Sequence, residues 1–129
     1  MKILPFLIVL LIATSCIGQD EKALVGTVWE YSFSSDQNDY IKFSSENKFE
    51  SYSAESGRTQ LGVYFISNDT LNLVVTHEIP NDRRSVGKHT RAIISEGSLR
   101  YISFDRIKRD KWESSDFMFD PEYVLKKKE

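Results

Sequence analysis

The sequence predicts an all-β fold, a small antiparallel up-and-down β-barrel of about eight to nine strands that follows an N-terminal leader. The 129 residues leave room for one domain. From residue 24 onward, turn-forming clusters recur at the spacing of short strands, and no stretch keeps the periodicity of a helix. A single sheet of this size has no helix to cover it and must curl, since closure removes the unpaired edges. A two-sheet sandwich satisfies the same alternation, so that alternative stays open.

Composition excludes two classes of protein. Lys and Arg number 17 against 19 Asp and Glu, a net charge of −2, so no overall positive field attracts a nucleic-acid backbone. The chain carries 16 aromatic residues, of which all but Phe6 lie beyond the first 15 residues. This aromatic content is well above that of disordered polar chains, so the remainder is expected to fold.

The first 15 residues have the pattern of a secretory signal. Lys2 gives a positive start and residues 3–13 form an apolar run, which is too short to span a bilayer. Small residues then precede Cys16, the only cysteine, so no disulfide can form within the chain. This arrangement resembles a bacterial lipoprotein leader, in which the cysteine is lipidated and becomes the mature N-terminus.

The lipoprotein resemblance implies a membrane anchor at Cys16, a tether over residues 16–23 and a location in the cell envelope. Ile17, in place of an aspartate, suggests outer-membrane sorting, and Asp20-Glu21 resembles a surface-display signal of Bacteroidota lipoproteins. The periplasmic face and the surface both remain open. Cleavage elsewhere, for instance after Gly18, would instead leave an ordinary periplasmic protein.

Alternation assigns one face of each strand to the interior. The residues expected to face inward are Trp29, Tyr31 and Phe33 on the first strand. On the second strand they are Ile41 and Phe43. Two later strands are expected to share the pattern, one with its inward face at Leu71, Leu73 and Val75, the other with its inward face at Arg100, Ile102 and Phe104.

The last segment, residues 121–128, can be interpreted in two ways. Asp120-Pro121-Glu122 is typical of a helix start. Against this, three consecutive apolar residues, 123–125, run directly into three lysines. We favour a closing strand, with a short helix as the alternative.

Several short motifs resemble the lipocalin-like domains (calycin type) of Bacteroidota lipoproteins. The resemblance covers about residues 24–75 and rests on the following segments: Leu24-Val25-Gly26-Thr27-Val28-Trp29-Glu30, Ile41-Lys42-Phe43, Phe49, Leu61-Gly62-Val63-Tyr64-Phe65-Ile66 and Asn68-Asp69-Thr70-Leu71-Asn72-Leu73. Gly62 and Tyr64 match the family's Gly-x-Tyr strand. Where the family has Gly-x-Trp, two residues separate Gly26 from Trp29 here. The resemblance implies a lipocalin-like barrel over residues 24–129.

Two groups of residues are candidates within such a barrel. Gly26 and Trp29 are interpreted as a structural plug at its floor. Inward aromatic residues could line a pocket for a small hydrophobic or amphipathic molecule: Tyr31, Phe33, Phe43, Tyr64 and Phe104. A barrel this small can also be filled by its own side chains, so a filled core is the alternative.

No motif predicts catalysis, a cofactor or a metal site, so we expect a protein that is not an enzyme. His77 and His89 are interpreted as exposed strand residues rather than metal ligands. Asp116 and Asp120 are interpreted as solvated acids. A basic stretch is expected to be a solvated strand edge, with a docking patch for an acidic partner or lipopolysaccharide phosphates as the alternative: Arg100, Arg106, Lys108, Arg109 and Lys111.

Two functions follow as expectations. The first is a lipid-anchored carrier or sensor whose barrel binds a small hydrophobic or amphipathic molecule. The second is a protein-interaction module with a filled barrel, such as an envelope inhibitor, immunity protein or accessory subunit. Neither involves nucleic acid.

Overall fold

The computed structural model describes residues 21–34, 36–80, 87–108, 110–115 and 117–129. The predicted signal peptide and Cys16 lie outside this part of the chain. One helical turn precedes nine strands: α1 (Glu21–Leu24), β1 (Val28–Ser32), β2 (Asn38–Ser44), β3 (Lys48–Ser53), β4 (Arg58–Ser67), β5 (Thr70–Ile79), β6 (His89–Ser95), β7 (Ser98–Lys108), β8 (Lys111–Ser114) and β9 (Leu125–Lys127). Among these residues, no helix combines the length and the apolar character that crossing a membrane requires.

The strands form a closed antiparallel barrel, which confirms the predicted fold class over the sandwich. Strands β1 to β7 each pair with the next strand along the chain. Strand β9 pairs with β1 on one side and with the start of β7 on the other, and this closes an eight-stranded barrel. Strand β8 is an additional strand that pairs with the end of β7.

Tight turns mark one end of the barrel, which we call the closed end. The β4–β5 turn places Asn68 and Asp69 at positive φ, and the β6–β7 turn does the same with Glu96 and Gly97. Such two-residue turns suit the twist of antiparallel strands. The C-terminal ends of β1, β3 and β5, together with residues 117–124, lie at the opposite, open end.

The short helix α1 covers the closed end. Leu24 is buried there. The Tyr64 hydroxyl donates to the Glu21 carbonyl oxygen (3.2 Å), and the Ile66 amide donates to the Glu21 carboxylate (3.0 Å). The chain therefore packs on the barrel from Glu21, inside the segment predicted as a tether.

The core lies on the inward faces that alternation predicts for β2 and β5. Ile41 and Phe43 are buried, and so are Leu71, Leu73 and Val75. These predictions are confirmed. At roughly 25 cal/mol per Å² of apolar area, such burial is the main source of the barrel's stability.

Two β-bulges shift the alternation. In the β4–β5 pair, Leu61 faces His77 and Gly62 faces Val75, so Thr76 is an extra residue and Glu78 returns to the interior. A second bulge at Ile102 of β7 leaves that side chain 41% exposed. Arg100, on the N-terminal side of this bulge, is exposed as well, so the predictions that Arg100 and Ile102 face inward are wrong.

The C-terminal segment forms a turn followed by a strand. The Asp120 carboxylate accepts from the Glu122 amide (2.9 Å), and the Asp120 carbonyl accepts from the Tyr123 amide (3.0 Å). This is the predicted cap chemistry, but the chain then enters β9 rather than a helix. Pairing with β1 and β7 favours the strand.

Candidate functional site

A cavity of about 320 Å³ occupies the interior at the open end of the barrel. Its lower wall is apolar and includes Phe49, Leu73 and Val75, which are buried. The rest of the lining is mostly polar or aromatic and consists of Tyr40, Ser51, Tyr52, Ser53, Ser56, Arg58, Gln60, Glu78, Lys88, Thr90, Tyr101 and Phe119. The volume is near the lower end of the range for small-molecule pockets.

The space exists because inward side chains change character along two strands. On β3 the inward series runs from Phe49 to Ser51 and then Ser53, so a large ring gives way to two small hydroxyls. On β4 the inward series ends in Gln60 and Arg58. Short or polar side chains at the open end leave a volume that the core residues do not fill.

On β4, Gly62 separates the core residue Tyr64 from the cavity residues Gln60 and Arg58. A Cβ added there would lie 2.0 Å from the Val74 carbonyl oxygen and 2.7 Å from Cε1 of Phe49. Only glycine therefore allows the β5 backbone and the Phe49 ring to approach this closely.

Glu78 is the charged group that is most deeply buried on the cavity wall, with its side chain 1% exposed. One carboxylate oxygen, Oε1, lies 3.9 Å from Nη1 of Arg58. The other, Oε2, has no hydrogen-bond partner within the described part of the chain. A buried polar atom without a partner costs folding free energy, so this oxygen is a candidate acceptor for a hydrogen bond from a bound molecule.

One cation, Lys88, lies beside Glu78 on the cavity wall, and a second, Arg106, lies beside Lys88. Burial lowers the pKa of the Lys88 ammonium, and the charge of Arg106 lowers it further, whereas Glu78 acts in the opposite direction. The Lys88 ammonium is 4.8 Å and the Arg106 guanidinium carbon 5.2 Å from the ring centre of Phe104. Phe104 thus supports the basic side of the mouth through cation–π contacts.

Aromatic rings form another wall of the open end. The ring of Tyr101 lies 5.5 Å from that of Phe119 and 6.1 Å from that of Tyr123. The Tyr123 hydroxyl donates to Asp39, and burial, followed by this hydrogen bond, raises the pKa of Tyr123. The same Asp39 carboxylate accepts from the Ala54 amide (2.7 Å), so it connects the C-terminal segment to the β3–β4 loop.

The five aromatic residues predicted to line a pocket do not come together. Phe43 and Tyr64 contact each other in the core at the closed end, with ring centres 4.9 Å apart. Tyr31 contacts Tyr123. The ring of Phe104 lies against the Lys88 ammonium and does not line the cavity. Of the described residues that line the cavity, none is among the five.

Phe33 is not inward. It follows the last residue of β1 and is 50% exposed, so the prediction of an inward Phe33 is wrong. Its ring packs against that of Tyr31, with centres 4.8 Å apart. The alternation of inward and outward side chains stops at Ser32, where β1 ends.

Gly26 and Trp29 lie at the closed end. Gly26 has a φ of 82° and its amide donates to the Phe43 carbonyl (2.8 Å). Trp29 is buried, and its indole nitrogen donates to the Thr27 hydroxyl (3.0 Å). Trp29 is buried at this end whereas Gly26 is exposed, and their interpretation as a structural plug stays a prediction.

The histidines lie on neighbouring strands, as expected, but differ in environment. His77 is exposed, whereas His89 is half-buried with Nε2 2.8 Å from Asn72 Oδ1, which corrects the expectation that both are exposed. Within the described ranges, no group of three or more side chains could hold a metal. Asp120 is exposed at its turn, and Asp116 lies outside the described residues.

The basic stretch does not gather in one place. Arg100 lies near the start of β7 and Arg106 near its end, roughly 20 Å apart at the rise of a strand. Lys111 is exposed on β8, while Arg109 and the side chain of Lys108 lie outside the described part. Of the described residues of this stretch, Arg106 lies beside Lys88, a residue of the cavity wall.

A row of aromatic rings, two exposed and one half-buried, crosses the outer face of the barrel over β4, β6 and β8. The ring of His89 lies 6.2 Å from Phe65 and 5.8 Å from Trp112. Phe65 is 42% and Trp112 50% exposed. Exposed apolar groups in a row can mark a contact surface.

Sequence reasoning missed Glu78, Arg58 and Lys88. A signal existed for Arg58, because alternation from the inward Tyr64 reaches Gln60 and Arg58 on the same face. The inward position of Glu78 depends on the bulge at Thr76, which the β5 sequence alone does not indicate.

Comparison of the chain with models of known families, with curated proteins and with solved structures gives no match.

Proposed function

We propose that this chain is a lipid-anchored cell-envelope protein, not an enzyme, whose barrel binds a small amphipathic molecule in the open-end cavity. The observation that carries the proposal is the polarity of the cavity. Its lower wall is apolar and its mouth has charged and hydroxyl groups, so a ligand with an apolar part and a polar head would be complementary to it.

The envelope location is supported by the leader pattern and by Cys16, through its resemblance to lipoproteins. Outer-membrane sorting and a lipocalin-like relationship, as in Bacteroidota lipoproteins, belong to the same proposal. In this role the protein carries or senses its ligand close to a membrane.

The anchor is tested by Cys16→Ser. We expect the variant to leave the membrane fraction, because removal of the acyl chains removes their partition free energy, about 0.8 kcal/mol per methylene. Ile17→Ser is the control and keeps its cysteine. If Cys16→Ser stays in the membrane fraction, the anchor at this residue is wrong.

Binding is tested by purifying the full chain from its native membrane and identifying what accompanies it by native mass spectrometry. A bound small molecule of amphipathic character is the expected result. Partial filling of the cavity by Ser51→Trp should remove that molecule, whereas Ser44→Trp, at an exposed position of β2, should not. A ligand that survives Ser51→Trp would contradict binding in the cavity.

A second candidate is a protein-interaction module, and the outer-face row of Phe65, His89 and Trp112 favours it. The purification distinguishes the two candidates, since a stoichiometric protein partner that is lost in Trp112→Ala would support the second.

A further inference from the structure

We infer that the molecule bound in the cavity has a head with one negative charge and an adjacent hydrogen-bond donor, and that Glu78 accepts from this donor. The inference deepens the proposed function and rests on it. A short hydroxy fatty acid is one molecule of this class.

The donor follows from Glu78. Its side chain is almost fully buried, it lines the cavity, and Oε2 has no partner among the described residues. A carboxylate oxygen can only accept a hydrogen bond, so the missing partner must be a donor. A hydroxyl or an N–H group on a bound molecule would supply it.

The contact with Arg58 does not supply a hydrogen bond to Oε2 of Glu78. At 3.9 Å, the Nη1–Oε1 separation is longer than a hydrogen bond, and it involves the other carboxylate oxygen. Oε2 therefore stays available to a ligand.

The negative charge follows from the balance of charges around the cavity. The described charged side chains that line it are Arg58, Lys88 and Glu78, which sum to one positive charge. Beyond the lining, the positive charge of Arg106 beside Lys88 and the negative charge of Asp39 beside Tyr101 oppose each other, so they leave this sum unchanged. The positive field would repel a purely cationic head. A head with one negative charge would instead bring the summed charge of the head and the three lining side chains to zero.

The remaining wall limits the tail. Phe49, Leu73 and Val75 offer an apolar surface, and the volume of about 320 Å³ suits a short chain rather than a long one. The donor must lie close to the anionic group, because Glu78, Arg58 and Lys88 share one part of the wall.

Three probes with the same chain length separate the two features. 3-Hydroxyoctanoate has the charge and the donor, octanoate has the charge without that donor, and octane-1,3-diol has hydroxyls without the charge. Their dissociation constants are measured by calorimetry on the full chain in phosphatidylcholine nanodiscs, with empty nanodiscs as the blank. We expect 3-hydroxyoctanoate to bind about tenfold more tightly than either of the others, as for one hydrogen bond to a charged group.

Substitutions test which side chains cause the preference for 3-hydroxyoctanoate over the other two probes. Glu78→Met keeps the side-chain length and should reduce the tenfold preference over octanoate to less than about twofold. Glu113→Met, on the exposed strand β8, is the control and should keep the preference. Lys88→Met should remove the preference over octane-1,3-diol, whereas Lys111→Met should keep it.

The outcomes separate the inference from the proposed function. If all three probes bind equally, or if Glu78→Met keeps the preference for the hydroxyl, the inference is wrong while binding in the cavity stands. If no probe binds, the proposed function fails as well. Should Glu78→Met not fold, Glu78→Gln replaces it, and the probe comparison on the unchanged chain already decides the ligand class.

Discussion

The same strands form a tightly packed core at one end of the barrel and surround a cavity at the other. At the closed end, β2 and β4 contribute Phe43 and Tyr64, which are almost fully buried beneath α1. At the open end, the same strands contribute Asp39 and Arg58, near a cavity with a buried carboxylate. Tight packing and the cavity are therefore separated along the barrel axis, so substitutions at the two ends should have different effects.

Trp29→Ala tests the closed end and should have the largest effect on folding. Removing a buried indole leaves a cavity and should lower the free energy of unfolding by about 3–5 kcal/mol. Urea denaturation of the full chain measures it. Trp112→Ala is the matched control, since Trp112 is 50% exposed, and should change stability by less than about 1 kcal/mol. Equal losses in the two variants would contradict the proposed role of Trp29.

Tyr123→Phe tests what holds the open end together. It removes the hydroxyl that donates to the Asp39 carboxylate and should cost about 1.5–3 kcal/mol, as for hydrogen bonds to charged groups. Tyr52→Phe is the control, because Tyr52 stacks on Tyr40 through its ring. If both variants unfold at the urea concentration of the unchanged chain, the contact with Asp39 does not stabilise the barrel.

Glu78→Met should separate stability from binding. Replacing a buried carboxylate that lacks one partner with an apolar side chain of similar length should leave stability unchanged or raise it by about 1 kcal/mol. Ligand discrimination should be lost at the same time. A stability loss above about 2 kcal/mol would instead make Glu78 a structural residue of the open end.

The smallest expected effect is a pH dependence from His89, on the outer face. Burial lowers its pKa, Arg91 lowers it further, and Asp105 opposes them. With a folded-state pKa below the ordinary value of about 6.5, the unfolded chain binds more protons, so stability falls as the pH drops from about 6.5 through the folded-state value.

His89→Gln should flatten that part of the stability profile, and His77→Gln, at an exposed position, should leave it unchanged. Urea denaturation between pH 7.5 and 5 measures both. A profile that keeps its slope in His89→Gln would mean that another group titrates there.

Sequence reasoning succeeds where alternation is local. Leu71, Leu73 and Val75 are inward as predicted, because nothing interrupts the period of two before Thr76. It fails at Arg100 and Ile102, because the bulge at Ile102 arises from the register between β6 and β7, which depends on two strands at once.

The candidate site was predictable only in part. The sequence predicts an amphipathic pocket as one of two possibilities, but the aromatic residues predicted to line it mostly pack in the core or beside the mouth. The polar inward series on β3 and β4 could have located the cavity. The inward position of Glu78 could not be predicted, because it depends on an extra residue in β5 relative to β4.

The pairing of β1 with β9 has a consequence for how the molecule is made. Trp29 lies opposite Lys127, so the seam joins the two extremes of the described chain. Contacts between residues so distant in sequence form late and slow the folding reaction. A chain that lacks β9 cannot complete the barrel, so closure has to wait until the C-terminal strand is available.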